Sequence, residues 1–185
     1  MNLRLATTAD IPQLRELIHD SVSILSDRHY SSAQIVSALV NVFGVDTQLI
    51  IDGTYFVVEV ENQIAGCGGW SKRKTLFGGD QTKSNQTIPE ALLDPATEPA
   101  RIRAFYVHSG WARQGVGSRI LRACEDAAGA AGFARVELIA TLPGEPLYSA
   151  AGYTNLGAFE IPLPDGPSLP AFRMEKRLVL HGNRK

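Results

Sequence analysis

Cysteine is scarce in this chain: Cys67 and Cys124 are its only two, and they lie far apart. A disulfide framework is therefore not what organises the fold. Long apolar runs are missing as well. No stretch approaches the roughly eighteen residues that a membrane-crossing helix needs, and the opening MNLRLATTADIPQL turns polar too early for a secretion signal. Charge of one sign is lacking too. Against 18 Lys and Arg stand 19 Asp and Glu, a net charge of −1, which gives no basis for binding nucleic acid. His19, His29, His108 and His181 show no metal-ligand spacing with one another or with the cysteines. The GxSxG elbow of a serine nucleophile does not occur either. These absences leave a cytoplasmic enzyme or binding domain, with no membrane association expected. At 185 residues the chain reads as one well-cored domain, 1–185, too short for two ordinary ones.

What is present is an ordered series of strand and helix patterns. Leu3 and Leu5 form a short strand, and Thr7-Thr8-Ala9-Asp10 ends it at a helix N-cap. Ile11, Leu14, Leu17 and Ile18 then recur at helical spacing, with Pro12 in the first turn, where it is tolerated. A second helix is expected from Ser31 to Val42, capped by Ser31 or Ser32, with Ile35, Val36, Leu39 and Val40 on its apolar face. Asp52-Gly53 is a turn. The β-branched and aromatic run from Tyr55 to Val60 and the run from Ile64 to Trp70, joined through Glu61-Asn62-Gln63, read as a hairpin. Residues 71–100 change character: Lys72-Arg73-Lys74 is basic, Gly78-Gly79 is flexible, and Pro89, Pro95 and Pro99 break any long element. This segment reads as a variable loop, of a length usually functional or disordered. A strand from Ile102 to His108 follows, then a glycine turn and a helix to about Gly129, with Ile120, Leu121, Cys124 and Ala128 on one face. Arg135 to Thr141 is another strand. A short helix containing Leu147 to Ala151 stops at Gly152. Two closing strands, near Tyr153 to Ile161 and Ala171 to Leu180, flank the Pro162 to Gly166 turn, and residues 181–185 read as a tail.

The glycine turn carries the most information. Residues Trp111 to Leu121, WARQGVGSRIL, follow the apolar Phe105-Tyr106-Val107 and open an amphipathic helix. Gly115 and Gly117 leave backbone N–H groups unshielded at a helix N-terminus, where unsatisfied amides and the helix dipole favour an anion. A side chain at Gly117 is expected to block the approach of a phosphate. The turn is not a Walker loop, because no Lys and Ser/Thr follow as GxxxxGKS/T requires. Nor is it GxGxxG, because Ile120 stands where the third glycine belongs.

Three pieces of the chain, in this order and spacing, resemble the GNAT N-acetyltransferase superfamily. The strand ending Tyr106-Val107-His108, followed by Arg113-Gln114-Gly115-Val116-Gly117 at the start of a long helix, looks like that family's acetyl-CoA motif. Leu147-Tyr148-Ser149-Ala150-Ala151-Gly152-Tyr153 is similar to its tyrosine-x-x-x-glycine-aromatic signature, and Arg173-Met174-Glu175-Lys176-Arg177-Leu178 to its closing strand. One departure stands out. The family pattern has Arg or Gln three residues before the first glycine, and here that residue is Ala112, with Arg113 one place later. The resemblance implies a single α/β domain with a mixed, mostly antiparallel sheet flanked by helices. It implies acetyl-CoA as cosubstrate, held by Tyr106, Val107, Arg113, Gln114, Gly115, Val116, Gly117 and Ser118. It also implies direct transfer of the acetyl group to an amine, on a small molecule or a protein, and leaves a homodimer open.

The chemistry then asks for two proton roles. An alkyl ammonium of pKa about 10 is neutral at only about one part in a thousand at pH 7, so a base, direct or through water, is useful. His108, at the end of the cofactor strand, is the first candidate, against the plainer reading of a surface histidine. Glu59, Glu98 and Glu145 are weaker ones. The resemblance places Tyr148 near the thioester sulfur as a hydrogen-bond donor or general acid to the departing thiolate, against the alternative that it only packs the short helix onto the sheet. Lys72-Arg73-Lys74 either attracts an acidic acceptor or is solvated charge. Both cysteines read as packing residues. Two rivals stay open: a non-catalytic acyl-CoA-binding or regulatory module on the same fold, and a nucleotide-binding protein using the glycine turn.

Overall fold

The computed structural model describes residues 1–83 and 90–179. Strand alternation sorts the apolar side chains of its sheet onto two faces, and a helix layer covers each. Seven strands, β1 (Asn2–Leu5), β2 (Tyr55–Val60), β3 (Gln63–Ser71), β4 (Ala100–Val107), β5 (Arg135–Thr141), β6 (Thr154–Ile161) and β7 (Leu169–Arg177), form one sheet in the order β1-β2-β3-β4-β5-β7-β6. Every pair is antiparallel except β4 with β5, which is parallel. The helices are α1 (Ile11–Leu25), α2 (Ser32–Asn41), α3 (Thr47–Ile51), α4 (Val116–Ala130) and α5 (Glu145–Ala150). This is the mixed, mostly antiparallel α/β domain that the resemblance implies.

On β2 the alternation is explicit. Tyr55 and Val57 join Leu14, Leu17, Ile18 and Val22 of α1 in one core, while Val58 joins Ile120, Leu121 and Cys124 of α4 in the other and Phe56 packs against that second core. Each such side chain contributes about 1.5–3 kcal/mol on burial. Helix α4 lies close on β3 because β3 is rich in glycine: a Cβ on Gly66 would stand 2.6 Å from Val116 Cγ1, and one on Gly68 would stand 2.2 Å from the Phe105 ring.

Local signals are met at several points. Ser31 caps α2, its hydroxyl accepting the Gln34 N–H at 3.3 Å while Gln34 Oε1 accepts the Ser31 N–H at 2.9 Å. A 3-10 turn, Thr8–Asp10, stands between β1 and α1, and Arg4 binds Asp10 in a fork of two 2.8 Å bonds. Helix α3 has no counterpart in the sequence reading. Its five residues are capped by Asp46, whose carboxylate accepts from Leu49 N–H at 3.4 Å.

The segment expected as a plain loop, 71–100, is more structured than that. Ser71 still belongs to β3, Arg73 and Leu92 form an isolated bridge, Asp80–Lys83 is a 3-10 turn, and Ala100 already belongs to β4. Arg73 binds Asp52 through two bonds of 2.7 and 2.9 Å, so the middle residue of the basic triplet is an anchor and not free charge. The last strand ends at Arg177 instead of Leu180, which lies outside the described residues together with Pro89, His181 and the 181–185 tail. No helix among the described residues is long and apolar enough to cross a membrane.

The feature that positions the site is the parting of β4 from β5. They pair only at Ala100–Val136 and Arg101–Glu137. Beyond that point β4 bulges: its register against β3 shifts between Cys67 and Gly69, and Ala104 adopts φ +54. His108 N–H still donates to Ala65 O of β3 at 3.0 Å. The Val107 N–H beside it therefore points to the opposite, unpaired edge.

Candidate active site

A cavity of 680 Å³ fills the gap between the parted strands. One wall is the open half of β4 with Tyr106 and Val107, and one end is the turn into α4. That turn is shaped by two left-handed residues, Arg113 at φ +64 and Gly115 at φ +84. Gly115 is the N-cap, and the first intrahelical bond runs from Arg119 N–H to Gly115 O at 3.0 Å. The amides of Val116, Gly117 and Ser118 therefore precede the helical ladder and have no acceptor among the described residues. They stand at the positive end of a fifteen-residue helix. Arg113 lines the cavity and has no ion-pair partner among the described residues, so its guanidinium adds free positive charge.

The two glycines do different work. A Cβ on Gly115 would meet nothing within 4 Å, so only its φ demands glycine there. A Cβ on Gly117 would stand 3.1 Å from Leu147 Cδ2 and 3.6 Å from Val107 Cγ2, both of which line the cavity. Gly117 is what lets α5 close against α4.

Tyr148 also lines the cavity. Its ring is held edge-on by Phe105 at 6.1 Å and by Tyr153 at 5.6 Å between centroids. Its hydroxyl has no hydrogen-bond partner among the described residues, yet it is not sealed away as the hydroxyl of Tyr153 is. Burial pushes its pKa well above that of an ordinary tyrosine. The Tyr106 ring meets Phe43 edge-on at 6.3 Å between centroids.

Seven of the ten residues singled out in the sequence thus line one cavity: Tyr106, Val107, Arg113, Gly115, Gly117, Ser118 and Tyr148. Val116 turns its side chain into the core, and Gln114 donates from Nε2 to Gly110 O at 3.0 Å, so these two could contribute backbone only. His108 does not line the cavity. Its Nδ1 accepts the Gly110 N–H at 3.1 Å and stands 3.6 Å from Asp20, whose carboxylate also takes the Ser109 N–H at 2.6 Å.

The acidic candidates lie elsewhere too. Glu59 is bonded to Arg4 at 2.6 Å, Glu98 accepts the Asp94 N–H at 2.9 Å, and Glu145 opens α5 in a bond with Ser149. Both cysteines are fully buried, and burial pushes the Cys67 thiol up to about 12 and Cys124 in the same direction, which removes them as nucleophiles at neutral pH. What sequence reasoning missed is the rest of the cavity lining. Ser26 and His29, just after α1, belong to it, as do Phe43 and Phe77. No local pattern marks these residues, because only the topology brings them to β4.

Comparison with known proteins follows the same lines. The structure superposes on the GCN5-related N-acetyltransferase of Rhodopseudomonas palustris with a TM-score of 0.67 at 17% identity, covering 96% of this chain and 95% of that one. For the PaiA N-acetyltransferase of Thermoplasma acidophilum, solved with coenzyme A, the values are 0.62, 14%, 95% and 98%. For YncA of Salmonella typhimurium, solved with its cofactor acetyl-CoA, they are 0.62, 16%, 100% and 98%. At these identities the likeness speaks to the fold. A comparison with the curated proteins finds no match by sequence. The model of the acetyltransferase (GNAT) family matches residues 28–153, more than half of the chain, from the loop after α1 to the residue before β6. The protein belongs to the acetyltransferase (GNAT) family.

Proposed function

We propose that this protein is an N-acetyltransferase that takes the acetyl group from acetyl-CoA and passes it to an amine by direct attack. The observation that carries the reading is the convergence on one cavity of a helix N-terminus with free amides, an unpaired strand edge and a tyrosine hydroxyl with no partner among the described residues. Acetyl-CoA is the usual cosubstrate of the family, and its chemistry fits this surface. The pyrophosphate would lie against the amides from Gln114 to Ser118 beside Arg113. The pantetheine amides would pair with the open edge of β4 in the manner of an added strand.

Tyr148 would then stand near the thioester sulfur. Even an unperturbed tyrosine is a weaker acid than a thiol, by roughly 2 kcal/mol, and burial raises Tyr148 further. Its part is therefore to donate a hydrogen bond as charge develops on sulfur, not to surrender the proton outright. His108 would reach the amine only through water, while His29 is the histidine of the cavity wall.

A free-thiol release assay with acetyl-CoA over a panel of primary amines tests the reading, together with a melting curve in CoA. Saturation at a hundredfold excess over Kd should add about 2.7 kcal/mol. A CoA-dependent shift with no turnover would favour the non-catalytic acyl-CoA-binding module, and no shift at millimolar CoA would remove acetyl-CoA from the account.

A further inference from the structure

Besides the β4 edge and the α4 turn, the cavity has an apolar wall, interspersed with Ser21, Ser26 and His29. It is built by Val22 and Leu25 of α1, Phe43 after α2, Phe77 from the segment between β3 and β4, Ile139 of β5 and Ile161 of β6. Phe77 packs edge-on against Phe159 of β6 with centroids 5.6 Å apart, so the segment that carries it is joined to the far side of the sheet. Among the described residues no Asp or Glu lines the cavity at all.

Its basic lining residues are Arg103, Arg113 and His29. Arg113 belongs to the α4 turn, and His29 is exposed. Arg103 is buried and its charge is paired, while its Nη2 has no hydrogen-bond partner among the described residues. Its Nε stands 3.0 Å from Asp46 Oδ2, and its Nη1 donates to Thr75 O at 3.1 Å, two residues before Phe77. Its charge is used to hold the wall in place.

We infer that the acceptor is a small monoamine whose body is an aryl or branched-alkyl group. The inference rests on the transferase reading and adds the acceptor class to it. An acceptor with further ammonium groups would bury them against apolar side chains with no carboxylate to meet them. A monoamine presents one charge only, and it is the one that must be lost before attack. The apolar wall itself disfavours the ammonium form and lowers the pKa of the entering nitrogen. That does part of the work of a base, in a cavity whose described lining offers no carboxylate for it.

The test is kcat/KM from thiol release with the intact protein and acetyl-CoA. Phenethylamine and isopentylamine are compared with spermidine, kanamycin and a short peptide bearing a free N-terminus. The apolar monoamines should lead by about 100-fold or more. Phe77→Ala should lower kcat/KM for phenethylamine about tenfold or more, with the CoA-induced melting shift unchanged. A preference for spermidine, kanamycin or the peptide overturns the acceptor class and leaves the transferase reading standing. So does a folded Phe77→Ala protein with unaltered kinetics. If CoA binds and no amine releases thiol, the transferase reading falls and takes this inference with it. The wild-type panel decides the class even if Phe77→Ala fails to fold.

Discussion

Two glycines one residue apart make the clearest case for arguing at the scale of single side chains. Gly115 is held at φ +84 with open space around it. Gly115→Ala should therefore cost about 1 kcal/mol of stability through backbone strain alone, and it should weaken CoA binding by tilting the free amides of the turn. Gly117→Val acts on a different partner. Its new methyls would press on Leu147, the neighbour of Tyr148, so the variant should lose about 1–3 kcal/mol by overpacking and lose kcat as well as affinity. Melting curves and CoA titrations of the two variants separate these outcomes. If Gly117→Val lost only CoA affinity, the phosphate approach and not the α4–α5 contact would be what needs glycine. Tyr148→Phe keeps the ring between Phe105 and Tyr153 and deletes only the hydroxyl. Stability and CoA affinity should hold, while kcat falls roughly 10- to 1000-fold, less so with an acyl donor that has a better thiol leaving group. Unchanged kcat would return Tyr148 to packing alone.

At the scale of elements, legibility in the sequence follows length and period. Helices α1 and α4 carry their apolar faces over fifteen residues each and are plain in the sequence. Helix α3 has five residues, fewer than two turns, and leaves no period to read. The segment after β3 looks like a loop because its anchors are remote: Asp52 and Arg73 are 21 positions apart, and Arg103 and Thr75 are 28 apart. Contacts at such separations leave no trace in local composition. The side of the cavity at β4 and α4 is legible because it is one strand, one turn and one helix in succession. The rest of its lining is not, because five separate segments contribute to it. The joint between β1 and α1 gives an element-scale prediction. The bonds from Arg4, foremost, hold the Asp10 carboxyl down to about 2 against an ordinary 3.8. Its stabilisation is complete above the ordinary value and is lost as pH falls toward 2. Asp10→Asn should therefore cost about 2 kcal/mol at pH 7, and the gap between variant and wild type in urea melts should narrow between about pH 4 and pH 2. A gap that stayed constant over that interval would mean that the Arg4–Asp10 fork does not stabilise the fold through charge.

For the whole molecule, the governing fact is that one sheet separates two cores and opens in its middle. The α1–α2 core and the α4 core share β2 through alternate residues, yet between β4 and β5 only two residue pairs are made before the strands part. The folded chain thus leaves unpaired amides on β4 and at the α4 turn in its own centre, a place where backbone groups are ordinarily satisfied. A ligand that brings acceptors to both would complete the sheet rather than reshape it, and its effect should be local in structure and wide in stability. Hydrogen exchange measures this directly. With CoA bound, amides in 105–118 should exchange at least tenfold more slowly, in line with the roughly 2.7 kcal/mol of ligand stabilisation where exchange requires opening of the site. The α5 segment 145–150 should follow, because Leu147 and Tyr148 face the same cavity. The β1–β2 pair and the β6–β7 hairpin already have their strand partners, and their exchange through local fraying should stay as it is. Protection confined to β6–β7, or none at 105–118, would mean that the gap between β4 and β5 is not where the nucleotide thioester lies.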